Sequence, residues 1–194
     1  MQVILASNSP RRKEILRGLG ISFSVRTAGA DETCSLANPA ERVAAIAVRK
    51  GRAAYNAMTS ERSLTDDTLI LSADTLVYCG DVFLGKPHNA AEAAAMLRFL
   101  SGRTHSVWSG IAAIYNGRTI TAAEETSVTF SAMTEGDIAS YIATGEPYGK
   151  AGAYAIQGGG SRYISGIRGD YFNVVGLPVH RMVFALKQSF GIIL

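Results

Sequence analysis

The chain opens with a short apolar run, a polar turn and an amphipathic segment. Residues 3–6 are uniformly apolar and predict a buried strand. Ser9 and Pro10 follow as the expected N-cap and first residue of a helix, and Gly18 and Gly20 supply its end. The pattern therefore predicts a strand that leads directly into a helix.

A second strand and a longer helix are predicted next. Residues 23–28 are β-prone, and Asn38 is the expected cap of a helix over residues 39–58, with capping-box spacing. The apolar run 68–73 predicts another strand, which places Asp74 at its end or just past it. The first half of the chain thus alternates strands with helices.

The second half of the chain combines hairpin signals with helix caps. Asn116-Gly117 between two β-prone arms predicts a type I′ hairpin, and therefore antiparallel pairing. The other predicted features are a hairpin at residues 80–81, helices over 90–100, over 135–143 and from Pro178, a glycine-rich loop over 149–161, and a strand over 162–167. Because hairpins interrupt the alternation, we predict one α/β domain over residues 1–194, with a mixed β-sheet flanked by helices.

Composition excludes several classes of protein. With 47% hydrophobic and 18% charged residues, the 194-residue chain has the balance of a folded globular protein. The net charge of +3 suits an anionic ligand, but no basic stripe is present, which argues against nucleic-acid binding. Cys34 and Cys79 lack metal or disulfide spacing, and no apolar run approaches the roughly 18 residues of a membrane span. A soluble cytoplasmic protein without a membrane partner is expected.

Basic residues occupy positions that need an explanation. Arg11 and Arg12 fall in the first turn of the first predicted helix, where the helix dipole disfavours cations. A bound phosphate would reverse this effect, because backbone N–H groups of the same turn also donate to anions. Lys50 lies within the apolar stripe of the second helix, which directs a cation toward the interior. The alternative for all three side chains is that they extend into water.

Carboxylates and a loop lysine add to the candidate chemistry. Asp74, after a buried strand, suits a metal ligand or a proton acceptor, although aspartate is also a common turn residue. Asp31 and Glu32 are oxygen ligands of the type Mg²⁺ takes, and Lys86 in LGKP presents an ammonium from a rigid turn. Each of these three residues is equally compatible with an ordinary solvated loop.

The glycine-rich loop over 149–161 contains two polar side chains suited to a ligand. Lys150 adds positive charge, and the amide of Gln157 offers a paired donor and acceptor. Glycines there allow backbone to approach a ligand, but the spacing is not that of a P-loop. A flexible loop without a ligand is the alternative.

Taken in order, these stretches resemble the Maf family of nucleoside triphosphate pyrophosphatases. The matching segments are LASNSPRRKEIL, the pair DE at 31–32, AVRKGRAA, SADTLV, LGKP, MLRFLSGRTHSV, YIATGEP, KAGAYAIQG and NVVGLP. They extend over nearly the whole chain in the family's order. The resemblance implies an α/β fold with two lobes around a central cleft, and a homodimer.

The resemblance also implies a reaction, the hydrolysis of a nucleoside triphosphate to the monophosphate and pyrophosphate. A divalent cation, Mg²⁺ or Mn²⁺, is the implied cofactor, with Glu32 and Asp74 as its ligands. Asp74 and Lys86 are the implied catalytic residues, and whether Asp74 acts as base or as metal ligand stays open. The implied substrate-binding residues are Ser7, Ser9, Arg11, Arg12, Lys50, Thr75, Lys150 and Gln157.

The form AYAIQG resembles the branch of the family that acts on dTTP and UTP. The amide of Gln157 can donate to O4 and accept from N3–H of uracil or thymine. Modified pyrimidine triphosphates are further expected substrates, in housecleaning of nucleotide pools. This chain departs from the family at Gly149, where aspartate is usual. The alternative function is a nucleotide-binding regulator of cell division and septum formation with little hydrolysis.

Overall fold

A computed structural model describes all residues, 1–194, and contains seven strands and six α-helices. The strands are β1 (Gln2–Leu5), β2 (Ser24–Val25), β3 (Thr68–Cys79), β4 (Val82–Leu84), β5 (Thr104–Tyr115), β6 (Arg118–Phe130) and β7 (Ile164–Arg168). The helices are α1 (Pro10–Gly18), α2 (Pro39–Ser60), α3 (Ala90–Leu100), α4 (Glu135–Ala143), α5 (Tyr171–Val175) and α6 (Val179–Phe190). Two 3₁₀ helices, Ala151–Ala153 and Gly159–Tyr163, lie in the glycine-rich loop.

The strands form one mixed sheet, as predicted. Its order is β2-β1-β3-β5-β6-β7, and β4 pairs separately with β3. Strand β1 is parallel to both β2 and β3, with Leu5 opposite Leu71, whereas β4 and β7 are antiparallel to β3 and β6. The α/β class is therefore confirmed. No helix is both long and apolar enough to cross a membrane.

The chain divides into two compact units. The first unit comprises Met1–Asp74, Ser109–Glu124 and Gly176–Leu194, and the second comprises Thr75–Trp108 and Glu125–Val175. Each unit has an apolar core of its own. In the first unit the core includes Ile4, Ala54, Met58, Ile70 and Ile114.

Local signals in the sequence predicted the helix starts correctly. Ser9, Asn38 and Asn89 cap α1, α2 and α3, each accepting a hydrogen bond from a backbone N–H three residues later. Thr134 caps α4 in a complete capping box with Asp137. These contacts involve neighbouring residues only, which is why sequence spacing is sufficient to find them.

The turn between β5 and β6 also agrees with the sequence. Asn116 and Gly117 both have positive φ, 48° and 72°, as a type I′ turn requires. Gly117 takes this conformation without steric cost, and asparagine tolerates it better than most residues.

The prediction that a strand ends before Asp74 is wrong. Strand β3 continues to Cys79, so Asp74 lies inside it. The neighbouring strand β1 ends at Leu5, but β3 keeps β5 as its neighbour on the other side of the sheet. A strand that retains one partner need not stop where it loses the other.

Two smaller boundaries and one short helix also differ from the prediction. The second strand is only two residues long, and α2 extends to Ser60. The five-residue helix α5 was not predicted, although Asp170 precedes it and accepts a hydrogen bond from the N–H of Phe172 at 2.8 Å, because five residues are too few to show a helical period.

The core of the second unit contains a buried histidine. His105 is 3% exposed, its Nε2 lies 2.8 Å from the hydroxyl of Tyr154, and its ring packs edge-on against Phe130. Its Nδ1 has no hydrogen-bond partner. Burial lowers the pKa of His105 to about 4, so the ring is neutral at pH 7.

Acidification should destabilise the protein through His105. Its pKa is about 4 when folded and 6.5 when exposed, so between these values the unfolded chain binds more protons. The free energy of unfolding should therefore fall from about pH 6.5 down to about pH 4, by up to roughly 3 kcal/mol. Urea unfolding at about pH 7 and pH 4.5 measures this loss in the free energy of unfolding. The variant His105→Gln should lose less stability than the wild type over the same interval, and equal losses would contradict the assignment.

Candidate active site

The turn between β1 and α1 is closed by two serines and an arginine. The hydroxyl of Ser7 accepts hydrogen bonds from the backbone N–H of Ser9, at 3.3 Å, and from Nη1 of Arg12, at 3.0 Å. Nε of Arg12 donates to the carbonyl of Gly176 at 2.8 Å. Arg12 therefore folds back over the turn, and the alternative that it extends into water is wrong.

Arg12 is a buried cation in the field of two carboxylates. Its side chain is 8% exposed, and burial lowers its pKa to about 10. The charges of Asp74 and Glu32 raise that pKa, and the charge of Arg11 lowers it. Arg12 is therefore charged at neutral pH. Arg11 is half-buried, and burial also lowers its pKa.

The central feature of the first unit is an ammonium between two carboxylates. Nζ of Lys50 lies 2.7 Å from Oδ1 of Asp74 and 3.0 Å from Oε2 of Glu32. The side chains of Lys50 and Asp74 are 17% and 14% exposed, whereas that of Glu32 is 55% exposed. The sequence prediction that Lys50 points toward the interior is confirmed, and its partners are the two predicted carboxylates.

A close helix–strand contact places Lys50 beside Asp74. The hydroxyl of Ser72 on β3 donates to the carbonyl of Ala47 on α2 at 2.7 Å. A Cβ at Gly51 would lie 2.7 Å from the same hydroxyl, so only glycine fits there without a shift. Ser72 and Asp74 share a face of β3, since side chains alternate along a strand. This contact thus places Lys50, the residue before Gly51, beside Asp74.

A loop packed on α2 brings Glu32 to the same lysine. Nη1 of Arg49 donates to the carbonyls of Asp31, at 3.3 Å, and of Thr33. Oδ1 of Asp31 accepts from the N–H and hydroxyl of Thr33, and these bonds lower the pKa of Asp31. Asp31 therefore stabilises its own turn, and Glu32 is the carboxylate that reaches Lys50.

The carboxylates of Glu32 and Asp74 offer the oxygen donors that hard divalent cations take. Both already contact one cation, the ammonium of Lys50. No group of three or more His, Cys, Asp or Glu side chains converges anywhere in the structure. Mg²⁺ is usually held by one or two carboxylates together with substrate phosphates, so two protein carboxylates suffice for that mode of binding.

The remaining predicted site residues belong to the second unit. Thr75 follows Asp74 on β3 and is half-buried, and Lys86 is exposed in the loop after β4. Lys150 donates from Nζ to the carbonyl of Glu146. Gln157 is exposed in a turn between the two 3₁₀ helices.

A backbone contact joins the LGKP loop to the glycine-rich loop within the second unit. The N–H of Gly152 donates to the carbonyl of Gly85 at 3.0 Å, one residue before Lys86. Gly149, where the resemblance leads one to expect aspartate, has a φ of 74°, a conformation that glycine adopts freely.

Sequence reasoning missed the residues that support the site. Gly51 and Ser72 give no signal beyond their small size.

The chain belongs to the family of Maf-like proteins. The family model, described as "Maf-like protein", matches residues 2–189. The match covers nearly the whole chain.

Curated relatives match over nearly their whole length. The chain is 48% identical over 195 residues to the dTTP/UTP pyrophosphatase of Moorella thermoacetica, covering 98% of this chain and 96% of that protein. It is 45% identical over 188 residues to a dTTP/UTP pyrophosphatase of Bacillus cereus, covering 96% and 95%. Among solved structures, the Staphylococcus aureus Ham1 protein matches with a TM-score of 0.47 and 15% identity, over 67% of this chain and 72% of that one.

The variant Gly51→Ala should destabilise the protein by about 1–3 kcal/mol, because its Cβ would overlap the hydroxyl of Ser72. Adding Ser72→Ala removes that oxygen, so the double variant should lose less stability than the sum of the two single losses. Thermal or urea unfolding measures all three.

The control for this series is Gly136→Ala in α4, where the nearest atom is 3.7 Å away. It should change the free energy of unfolding by less than about 1 kcal/mol, because Gly136 lies in the first turn of α4 and its Cβ meets no close contact. A Gly51→Ala protein as stable as the wild type would show that the close contact does not constrain the site.

Proposed function

We propose that this protein hydrolyses dTTP and UTP to the nucleoside monophosphate and pyrophosphate. Membership of the Maf-like family and full-length relatives named dTTP/UTP pyrophosphatase support the activity and the substrate. The structural observation that carries the proposal is the cluster of Lys50, Asp74 and Glu32 beside the buried Arg12. It combines cations for phosphate with carboxylates for water or metal.

The cations of the first unit suit a polyphosphate. Lys50 has three N–H donors, of which the two carboxylates engage two, so the third is available to a phosphate oxygen. Arg12 adds a fixed positive charge, and the N-terminal turn of α1 adds backbone donors. Arg11, Ser7 and Ser9 belong to the same turn and remain proposed substrate ligands.

Asp74 is the proposed acceptor of the proton from the attacking water. A carboxylate can take this proton as the water oxygen bonds to the α-phosphorus and the bond to the bridging oxygen of the pyrophosphate group breaks. Its ion pair with Lys50 fixes the carboxylate in place before substrate binds. The rigid strand β3 supports the same orientation, since Asp74 lies within it rather than in a loop.

Glu32 and Asp74 are the proposed ligands of a divalent cation, Mg²⁺ or Mn²⁺. Such a cation would polarise the phosphoryl group and offset the charge of the leaving pyrophosphate. Lys86 and Lys150 are proposed to compensate phosphate charge as well, by virtue of their ammonium groups.

Gln157 is the proposed reader of the pyrimidine base, with Thr75 as a second contact. Its exposed amide offers one donor and one acceptor, which match O4 and N3–H of uracil and thymine. If the site tolerates the 5-methyl group, both dTTP and UTP can bind. Modified pyrimidine triphosphates that retain O4 and N3–H can bind in the same way.

A regulator that binds nucleotide with little hydrolysis is not favoured. Binding alone requires cations, whereas the paired carboxylates of Glu32 and Asp74 would repel phosphate unless they serve metal or water. The homodimer and the cytoplasmic location remain proposals that rest on the resemblance to the family.

A nucleotide panel with Mg²⁺ or Mn²⁺ should show pyrophosphate release from dTTP and UTP well above that from CTP and the purine triphosphates.

Asp74→Asn should lower kcat by about 10²–10⁴-fold, because the amide cannot accept the proton. Asp66→Asn, an exposed residue just before the same strand, is the control and should retain full activity. Absence of release from every nucleotide would refute the proposed reaction.

Metal removal tests the carboxylate pair separately. Chelation should abolish turnover, and added Mg²⁺ or Mn²⁺ should restore it. Glu32→Gln should raise the metal concentration for half-maximal activity on the order of tenfold, since it weakens one ligand. Glu61→Gln alters a carboxylate that is likewise 55% exposed and should leave this concentration unchanged. An unchanged metal requirement in Glu32→Gln would remove Glu32 from the metal site.

A further inference from the structure

A carboxylate in the second unit organises the glycine-rich loop. Oε1 of Glu146 accepts a hydrogen bond from the hydroxyl of Tyr141 at 2.6 Å and from the N–H of Gly160 at 3.2 Å. Its Oε2 accepts from the N–H of Gly159 at 2.9 Å. One carboxylate thus binds two successive backbone donors at the start of the second 3₁₀ helix.

Tyr141 adds a backbone group on the N-terminal side of Gln157 to this network. Its hydroxyl accepts a hydrogen bond from the N–H of Ala155 at 3.1 Å while donating to Glu146. The anchored backbone groups are therefore two residues before Gln157, at Ala155, and two residues after it, at Gly159. The segment that carries Gln157 is fixed at both ends by the same pair of side chains.

The loop backbone lies directly against this network. A Cβ at Gly158 would lie 2.2 Å from Oε2 of Glu146, and a Cβ at Gly160 would lie 2.8 Å from the hydroxyl of Tyr141. No side chain fits at either position while the network is intact. The glycines therefore allow the backbone to wrap around the carboxylate rather than making the loop flexible.

Both side chains hold the protonation state that the network needs. Burial raises the pKa of Glu146, but its hydrogen bonds with Tyr141, Gly159 and Gly160 and the charge of Lys150 give a net lowering. Burial and the bond to Glu146 raise the pKa of Tyr141. At neutral pH a phenol donates to a carboxylate, so the network persists over the physiological range.

The side chain of Gln157 is exposed, so its position depends on the backbone that carries it. We propose that Glu146, together with Tyr141, is a positioning residue for pyrimidine selectivity: it fixes the backbone that presents the Gln157 amide to the base. This inference rests on the proposed function, because it concerns how Gln157 selects the base.

Loss of the support from Glu146 and Tyr141 should change the selectivity between UTP and CTP. Cytosine exchanges the acceptor O4 for an amine and the donor N3–H for an acceptor, so the amide must turn over to bind cytosine, and the position of the backbone decides which orientation reaches the base. A displaced amide loses this discrimination, and displacements near 1 Å can cost about 10²-fold. General loosening of the fold would lower activity on both nucleotides and leave their ratio unchanged.

The test is the ratio of kcat/KM for UTP to that for CTP in wild type, Glu146→Ala, Gln157→Ala and the double variant. Each single variant should lower the ratio by tenfold or more. The double variant should lower it no further than Gln157→Ala alone, because Glu146 acts through Gln157. Inhibition by inorganic tripolyphosphate, which has no base, should keep the wild-type inhibition constant in Tyr141→Phe, which retains the Glu146 carboxylate beside Lys150.

A milder variant keeps the inference falsifiable if Glu146→Ala does not fold. Tyr141→Phe removes one hydroxyl and retains the ring in the core, and it should also lower the ratio. Tyr163→Phe removes a neighbouring hydroxyl that donates to the carbonyl of Asp137 instead, and it should not.

The outcomes separate this inference from the proposed function. A folded Glu146→Ala or Tyr141→Phe protein with the wild-type ratio would overturn the positioning role alone. So would a further loss of the ratio when Glu146→Ala is added to Gln157→Ala. A wild-type protein that does not discriminate UTP from CTP would instead overturn the proposed substrate, and the positioning role with it.

Discussion

The arrangement of the first unit depends on one ammonium group shared by two carboxylates. Lys50 joins Asp74, on a strand, to Glu32, in a loop, at 2.7 and 3.0 Å. Without the cation, the two carboxylates would repel each other near a partly buried surface. The close approach of α2 to β3 and the fold of the loop over α2 therefore serve the same end, which is to bring opposite charges together in a fixed geometry.

Each unit surrounds a charged side chain with polar groups of opposite partial charge, and the charged group is a cation in the first unit and an anion in the second. In the first, backbone and side-chain oxygens surround cations, as Gly176 and Ser7 do for Arg12. In the second, backbone N–H groups and a phenol surround the anion of Glu146. In both cases a charged side chain that is partly or fully removed from water binds backbone groups of an irregular segment, and these bonds hold the segment in place. Loops that look flexible by composition are thereby ordered.

Sequence reasoning succeeded where the determinants are local. Helix caps such as Ser9 and Thr134 involve neighbours three residues apart, and the Asn116-Gly117 turn is determined by its own backbone conformation. Reasoning failed for the end of β3, since a strand's length depends on partners distant in sequence. It identified Lys50 and both carboxylates as candidates but could not pair them, and it gave no role to Glu146. Such pairings depend on tertiary contacts that periodicity does not encode.

The bond between Arg12 and the carbonyl of Gly176 connects residues 164 positions apart. The ribosome synthesises β1 and α1 long before Gly176. During most of translation, Arg12 therefore lacks the carbonyl that accepts its hydrogen bond in the folded protein. The first unit is thus completed late, although it contains the first residues made. A chain truncated before residue 176 would lack the carbonyl that accepts from Nε of Arg12, so its amino-terminal segment could not reach its final packing.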